Sequence, residues 1–459
     1  MILSAPRVMH ILANSAPDLN GYAIRSHDLL VSLKDARICD PLVLTSPYYP
    51  ERVSMCENAV IDGIEYHRSA SQSKKFSESK QRVMTTPERK SHVIQPTTYV
   101  ANKLKFLIRI LCSPIYSKLV LFGRFLREKR LMKKFEKEIT SHIRLHEPCI
   151  IHAHTPFRVG LPALRAAKKL GIPFVYEVRG MWEDSAVAQG RWTTKSIPYR
   201  YYRRQENKVI KNADEVIAIG ENLGKELVRR QLRNRAPSII PNAVGRGFAS
   251  YPLNFSARLP ENVSNLVRRL RLKESTIVIG YIGSLRTLEG VDFTAKAVAL
   301  CAKTGLDLRF LVCSSEANQN ELKQLCSDLG IGDKSFIEGP YPHEEIVHYY
   351  DLIDIFIVSR PDTNVTRIVP PIKPLEAMVR AKPTIVSNLP ALCEIVENGV
   401  TGVTFPSENV QSLAAVITDL SSSSQTRKKL GQTAREYVLE KRTWPEVVHN
   451  YQEIYQRYS

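Results

Sequence analysis

None of the eight cysteines in this 459-residue chain forms a C-x-x-C pair, and several, Cys149 and Cys313 among them, lie inside apolar runs. That spacing argues against a zinc ribbon or a redox-active dithiol and for reduced thiols packed in a core. Neither G-x-G-x-x-G nor G-x-x-x-x-G-K-[ST] occurs, which removes a dinucleotide fingerprint and a Walker phosphate loop. No run reaches the ~18 uncharged apolar residues that a membrane-spanning helix needs. The opening, MILSAPRVMHIL, lacks a basic stretch followed by an apolar one, so it reads as a first strand and not as a signal peptide.

What is abundant is positive charge. The formal net charge is +19, which calls for an anionic partner or surface. From Lys103 to Arg144 there are seven lysines and five arginines; against Glu128, Glu136, Glu138 and the neighbouring Glu147 the balance is +8. Leucine, isoleucine and phenylalanine are interleaved there, as in KLKFLIRILCSPIYSKLVLFGRFL. A basic amphipathic segment of this kind fits an anionic membrane surface better than nucleic acid. The alternative is an amphipathic helix packed on the core. Hydrophobic residues make up 43% and charged ones 24%, as in soluble globular proteins, and the length calls for two or three domains.

Strand and helix patterns alternate twice along the chain. Strands are expected at Val8–Leu12, Pro41–Thr45, Pro148–His154, Pro173–Val178, Glu215–Ile219 and Ser238–Ile240. After a charged, irregular linker at 246–275 they resume at Thr276–Ile282, Leu308–Cys313, Ser335–Glu338, Ile353–Val358, Thr384–Ser387 and Gly402–Phe405. The fold class is therefore α/β, with two doubly wound Rossmann-like domains, 1–245 and 276–440. The first carries a basic insertion at about 69–147, in which the Ser-, Lys- and Gln-rich part at 69–102 reads as a mobile excursion. An amphipathic helix at 441–459 has no strand after it and is expected to pack back on the first domain.

Two such domains meet at a cleft between strand ends, where ligands of α/β proteins bind. Four clusters are candidates for it. Gly283-Ser-Leu-Arg286 follows a strand directly: glycine permits close approach, and arginine offers a planar fork for phosphate, though a surface loop would look the same. Lys373 opens the helix pattern Pro374–Arg380, and Glu376 in its first turn could accept two bonds from a ribose diol or merely stabilise the helix. His152 and His154 are expected on opposite faces of their strand, with His154 at its end reaching the cleft and His152 packing. Arg179, Trp182, Glu183 and Asp184 form either a sugar- or acceptor-binding corner or an internal ion-pair network.

Taken in order, several stretches resemble family 4 retaining glycosyltransferases of the GT-B fold. They are HILANSAPDLNGYAIRSHDLL, IIHAHTPFRVGLPALRAAKKLGIPFVYEVRGMWEDS, NADEVIAIGENL with PSIIPNAV, GYIGSLRTLEGVD, FIEGPYPHEEIVHYYDLIDIFIVSR and KPLEAMVRAKPTIVSNLPALCEIVENGVTGVTF. The resemblance implies a nucleoside diphosphate sugar in the C-terminal half, its base near Ile337–Pro340 and its ribose on Glu376, with Leu375 alongside. Gly283, Arg286 and Lys373 would hold the diphosphate, and Gly21 and Tyr22 would approach from the other domain. Tyr22, Arg179, Trp182 and Glu183 would meet the acceptor. His154 would lie beside the transferred sugar and, with Arg286 and Lys373, serve catalysis. Transfer would retain configuration with neither metal nor cofactor, since cationic side chains stabilise the leaving diphosphate.

Two departures from the family pattern stand out. The Glu-x7-Glu pair keeps only Glu376, position 368 being isoleucine beside Arg367, and Glu289 stands where lysine is usual. A subset of the family shares Lys-Pro-Leu-Glu-Ala, which implies that Lys373 compensates. The expected partners are a nucleotide-sugar donor, a lipid-linked or saccharide acceptor and an anionic membrane surface, not nucleic acid. The expected place is cytoplasmic, at the membrane face, in surface polysaccharide synthesis. A GT-B nucleotide-sugar epimerase and a degenerate nucleotide-sugar-binding scaffold remain as rivals.

Overall fold

The computed structural model describes residues 5–18, 20–48, 58–69, 113–230, 232, 235–253, 259–315 and 317–459, without the side chains of 113–121 and His343. The excursion expected at 69–102 lies outside them apart from Ser69.

Long apolar runs become strands buried on both faces. In the N-terminal half β1 (Arg7–Leu12), β2 (Asp40–Thr45), β3 (Asn58–Ile61), β4 (Ile64–Arg68), β5 (Ile150–His154), β6 (Phe174–Val178), β7 (Glu215–Ala218) and β8 (Ser238–Ile239) form one sheet, ordered β3-β4-β2-β1-β5-β6-β7-β8. Every pair is parallel except β3 with β4. A second, wholly parallel sheet holds β9 (Ile277–Ile282), β10 (Leu308–Cys313), β11 (Ser335–Glu338), β12 (Ile355–Val358), β13 (Thr384–Ser387) and β14 (Val403–Phe405), ordered β11-β10-β9-β12-β13-β14. Helices cover such sheets on both sides, which is why the strands read as continuous hydrophobic stretches instead of alternating ones.

Chain order reverses between β1 and β5 in the first sheet and between β9 and β12 in the second. The loops leaving β1 and β9 therefore start at topological switch points, where a crevice opens beyond the strand ends. Those two loops carry Asn20-Gly21-Tyr22 and Gly283-Ser284-Leu285-Arg286.

Three details correct or extend the sequence reading. β3 and β4 were not foreseen; they form a hairpin whose two turn residues, Asp62 (φ 48°) and Gly63 (φ 75°), both lie in the left-handed region. Asp-Gly is the sequence signature of that turn. The supposed linker holds helices Arg246–Ser250 and Glu261–Leu270, and their Phe248, Val263, Leu266 and Leu270 are buried in the C-terminal core. Its charges face outward while an apolar face docks. The final helix, His449–Tyr458, buries Tyr451, Ile454 and Tyr455 with Trp444 and Val448 against Val8, Leu29, Ile150 and Val175 of the N-terminal half.

From Ser113 to His146 the basic segment is a 34-residue helix; its residues 103–112 lie outside the described ones. Over its second half Met132, Phe135, Ile139 and Ile143 are buried at helical spacing in the N-terminal core, while Lys133, Lys134 and Lys137 face solvent. This part is the packed amphipathic helix of the second alternative. Further toward its start Phe122 and Leu126 are exposed beside Arg124, Arg127 and Arg130. Among the described residues no helix is long and apolar enough to cross a membrane.

Candidate functional site

The two switch-point loops face one another across a cavity of about 860 Å³. From the N-terminal half its lining includes Gly21, Tyr22, Arg25, Asp28 and Arg179; from the C-terminal half, Gly283, Arg286, Arg360, Lys373 and Glu376. Five cations thus meet two carboxylates, an arrangement built for a strongly anionic ligand.

The N-terminal wall starts with a helix cap. The Asn20 side-chain oxygen accepts from the backbone N–H of Tyr22 and Ala23 at 3.0 and 2.9 Å, which fixes the start of helix Gly21–Asp35 at the cleft. One turn along, Arg25 donates to Glu177 Oε1 at 2.7 Å and to Asn242 Oδ1 at 2.8 Å. Arg179 donates to the same Glu177 oxygen at 2.7 Å and to Ser26 Oγ at 2.6 Å, and its guanidinium lies over the Tyr22 ring, 4.7 Å from the centroid. Glu177 is wholly buried and also accepts from Tyr451 at 2.6 Å. Burial opposes its ionisation, but Arg25 and Arg179 prevail and hold its carboxyl well below the usual range. One internal carboxylate therefore holds two guanidinium groups at the cleft wall.

His154 lies below that layer, not on the wall. It is fully buried, accepts from Arg179 Nη2 at Nδ1 (2.7 Å), and has its Nε2 3.2 Å from His10 Nδ1. Burial, and then Arg179, keep its imidazole well below the ordinary histidine pKa, hence neutral. The opposite-face reading of His152 and His154 is also corrected: their rings stack 4.3 Å apart, because residues two apart on a strand share a face. Arg179 folds back over the strand end and takes the place expected for the histidine.

On the C-terminal wall Gly283 (φ 154°) has the Lys373 side chain directly against it, so close that any Cβ there would collide with the lysine. Glycine is required for that approach. Arg286, half exposed, donates to Glu289 Oε1 at 2.9 Å, and Arg360 donates to Glu289 Oε2 at 3.0 Å. Glu289 is fully buried; burial works against its charge, yet Arg360, Lys373 and Arg286 bring its pKa down to about 2. The acid that replaces the family's lysine is the hub that gathers the three cations.

Glu376 sits at the cleft wall with Oε2 accepting from Tyr350 OH at 2.6 Å, leaving Oε1 for a ligand. Asp28 approaches from the opposite half. Burial, and next the nearby Glu376 charge, push its pKa up to about 7. Sequence reasoning missed Asp28, Arg25 and Arg360: nothing marks a charged residue inside an ordinary helix or strand-end pattern as cleft-facing.

Four further expected residues lie elsewhere. Ile337 is buried within β11, and it is Pro340 and Tyr341 beyond it that line the cavity. Leu375 is completely buried in the core, one residue from Glu376 but on the helix's inner face. Trp182 is 45% exposed away from the cavity lining. Glu183 is buried against Arg230 at 3.2 Å, while Asp184 meets the same arginine at 3.5 Å and accepts from Asn364 of the other half at 3.0 Å. That corner is the ion-pair network, and it ties the two halves together.

Comparison with known proteins agrees with this architecture. Residues 263–437 match the model of glycosyl transferases group 1, and residues 98–246 that of glycosyltransferase family 4. The D-inositol 3-phosphate glycosyltransferase of Thermobifida fusca is 23% identical over 291 residues, 61% of this chain and 63% of that protein. The chain thus spans somewhat less than two thirds of that curated relative. Among solved structures, sucrose-phosphate synthase from Thermosynechococcus elongatus superposes with a TM-score of 0.69 at 15% identity, over 98% of both chains. Anabaena Alr3699/HepE in complex with UDP-glucose gives 0.62 at 15% identity, over 98% of this chain and 100% of that one. With two facing doubly wound sheets and both family models matched in order across most of its length, the chain belongs to the group 1, family 4 glycosyltransferases of the GT-B fold.

Proposed function

We infer that the protein transfers a sugar from a nucleoside diphosphate sugar to an acceptor with retention of anomeric configuration. The observation that carries this reading is the convergence of Arg286, Arg360 and Lys373 on one side of the cleft opposite Arg25 and Arg179 on the other. A leaving diphosphate develops negative charge as the glycosidic bond breaks, and preorganised guanidinium and ammonium groups stabilise it where a metal ion otherwise would. Lys373 and Arg286 meet the phosphates, Glu376 accepts from the ribose, and Pro340 and Tyr341 flank the base. UDP-glucose in the Anabaena structure supports a nucleotide sugar as the ligand class. The neutral His154, behind Arg179, acts as a positioning residue for that guanidinium.

The acceptor is lipid-linked and is met at an anionic membrane surface, in the building of a surface polysaccharide. Exposed Phe122 and Leu126 among Arg124, Arg127 and Arg130 support docking there: aromatic and aliphatic side chains enter the interface while the arginines meet lipid headgroups. The test uses labelled nucleoside diphosphate sugars with a total lipid extract. Label should move into the organic phase with the donor's anomeric configuration kept. Label released only as free sugar, or product of inverted configuration, contradicts the reading.

A further inference from the structure

Outside the cleft, three histidines converge. His67 lies on β4, at the edge of the N-terminal sheet, and His142 and His146 are one turn apart near the end of helix Ser113–His146. Their ring centroids lie 5.2, 5.2 and 5.7 Å from one another, and one nitrogen from each falls within 4.8 Å of the others. His67 Nε2, His142 Nδ1 and His146 Nε2 are all shielded from solvent, and among the described residues none makes a hydrogen bond. The Glu65 carboxylate reaches His67 Nε2 at 3.0 Å but off the direction a hydrogen bond needs.

Three unsatisfied buried nitrogens in one place are costly. A buried polar atom without a partner keeps the loss of its hydration uncompensated, and each would be satisfied at once by a shared cation. Histidines at i and i+4 on a helix present their rings on one face, the spacing that zinc sites use. Zn–N distances of about 2.0–2.1 Å place ligand nitrogens about 3.3 Å apart in a tetrahedron, so the three rings need close in only slightly. Of the nearby charges, Arg7 is paired with Asp40 at 3.0 Å, and Glu138 is bonded to Ser69 one turn up the same seam.

A second trio, His10, His152 and His154, marks the contrast. It is as compact, but it is committed to Tyr455 and Arg179, with the guanidinium 2.7 Å from His154. The Arg179 charge beside this trio disfavours a further cation there.

We propose that His67, His142 and His146, with a water completing the four-coordinate set, bind one zinc-type divalent metal ion that staples the basic helix to the edge of the N-terminal sheet. None of these residues lines the cleft, so the site is structural and does not enter sugar transfer. It fastens the C-terminal end of the helix whose other end carries the exposed arginines and apolar side chains.

The experiment uses the full-length protein stripped with a chelator and titrated with Zn²⁺ alone, then with Co²⁺ followed by visible absorption. One equivalent should bind, raise the melting temperature, and with Co²⁺ give the intense bands of a four-coordinate site. His142→Ala and the milder His146→Gln should each weaken binding at least about ten-fold, while His449→Ala, an exposed histidine elsewhere, leaves it unchanged. Circular dichroism checks that the variants fold. Absence of stoichiometric binding, a six-coordinate cobalt spectrum, or equal affinity in folded His146→Gln overturns the proposal.

Discussion

Arg360 and Glu289 form a buried ion pair 3.0 Å long across the floor of the cleft, between the loop after β12 and the loop after β9. The same carboxylate holds Arg286. The pair explains why lysine is absent at 289. With Arg360, Arg286 and Lys373 supplying the positive charge, a further cation at 289 would be repelled, whereas an acid there draws the others together.

Glu289→Gln should therefore destabilise the protein, because it strands buried guanidinium charge; about 3 kcal/mol is expected for breaking such a pair. The pKa is depressed in the folded state, so the contribution is complete above the unfolded value near 4.5 and fades as pH falls toward about 2. Urea unfolding of both proteins should show the full gap at pH 7 and a smaller one at pH 3. An unchanged gap would place the effect in packing instead of charge.

Asp28 works in the other direction. Its folded pKa of about 7 exceeds its ordinary value of 3.8, so stability falls as pH rises between these two values, and the loss is complete above about 7. Asp28→Asn should be neutral at pH 4 and stabilising at pH 8, by on the order of 2 kcal/mol, since water in the cleft relieves part of the full cost. Melting curves at the two pH values decide it, and equal shifts at both would remove the titration from the account.

Removing the imidazole of His154 leaves Arg179 with Glu177 and Ser26 but without its third anchor. His154→Ala should lower kcat/KM about ten-fold, the worth of one net hydrogen bond of about 1.4 kcal/mol. Arg179→Ala should cost more, and in the Arg179→Ala background the histidine change should cost nothing further. Additive losses in that double variant would mean that His154 acts on the substrate itself.

Tyr350→Phe removes the donor that holds Glu376. Nucleotide affinity should fall by about 1 kcal/mol, roughly five-fold, with the fold intact. Calorimetry with the nucleoside diphosphate checks this, and unchanged affinity would show that the carboxylate needs no orientation.

Much of this was legible in the residues. Apolar runs bounded by turn residues located twelve of the fourteen strands among the described residues, since a strand buried on both faces is apolar along most of its length. The β3–β4 hairpin escaped because it is short and at a half-exposed edge, although Asp62-Gly63 announced its turn. The site was readable where chemistry and backbone coincide: Gly283 beside Lys373, Arg286 after a strand, and Glu376 in a first turn. It was not readable where long side chains cross between elements. Nothing local shows that Arg179 covers His154, that Arg360 reaches Glu289, or that Leu375 and Glu376, adjacent in sequence, face core and cleft.

The central claim is that this cleft binds a nucleoside diphosphate sugar through Lys373 and Glu376. The direct measurement is isothermal titration of a panel of nucleoside diphosphate sugars into the wild-type protein and into Lys373→Ala and Glu376→Ala. One donor should bind with a stoichiometry of one. Each variant should weaken it by about 1.5–3 kcal/mol, ten-fold or more, as loss of a charged hydrogen-bonding group does. Binding of every donor too weak to detect, or wild-type affinity retained in both variants, would contradict the account.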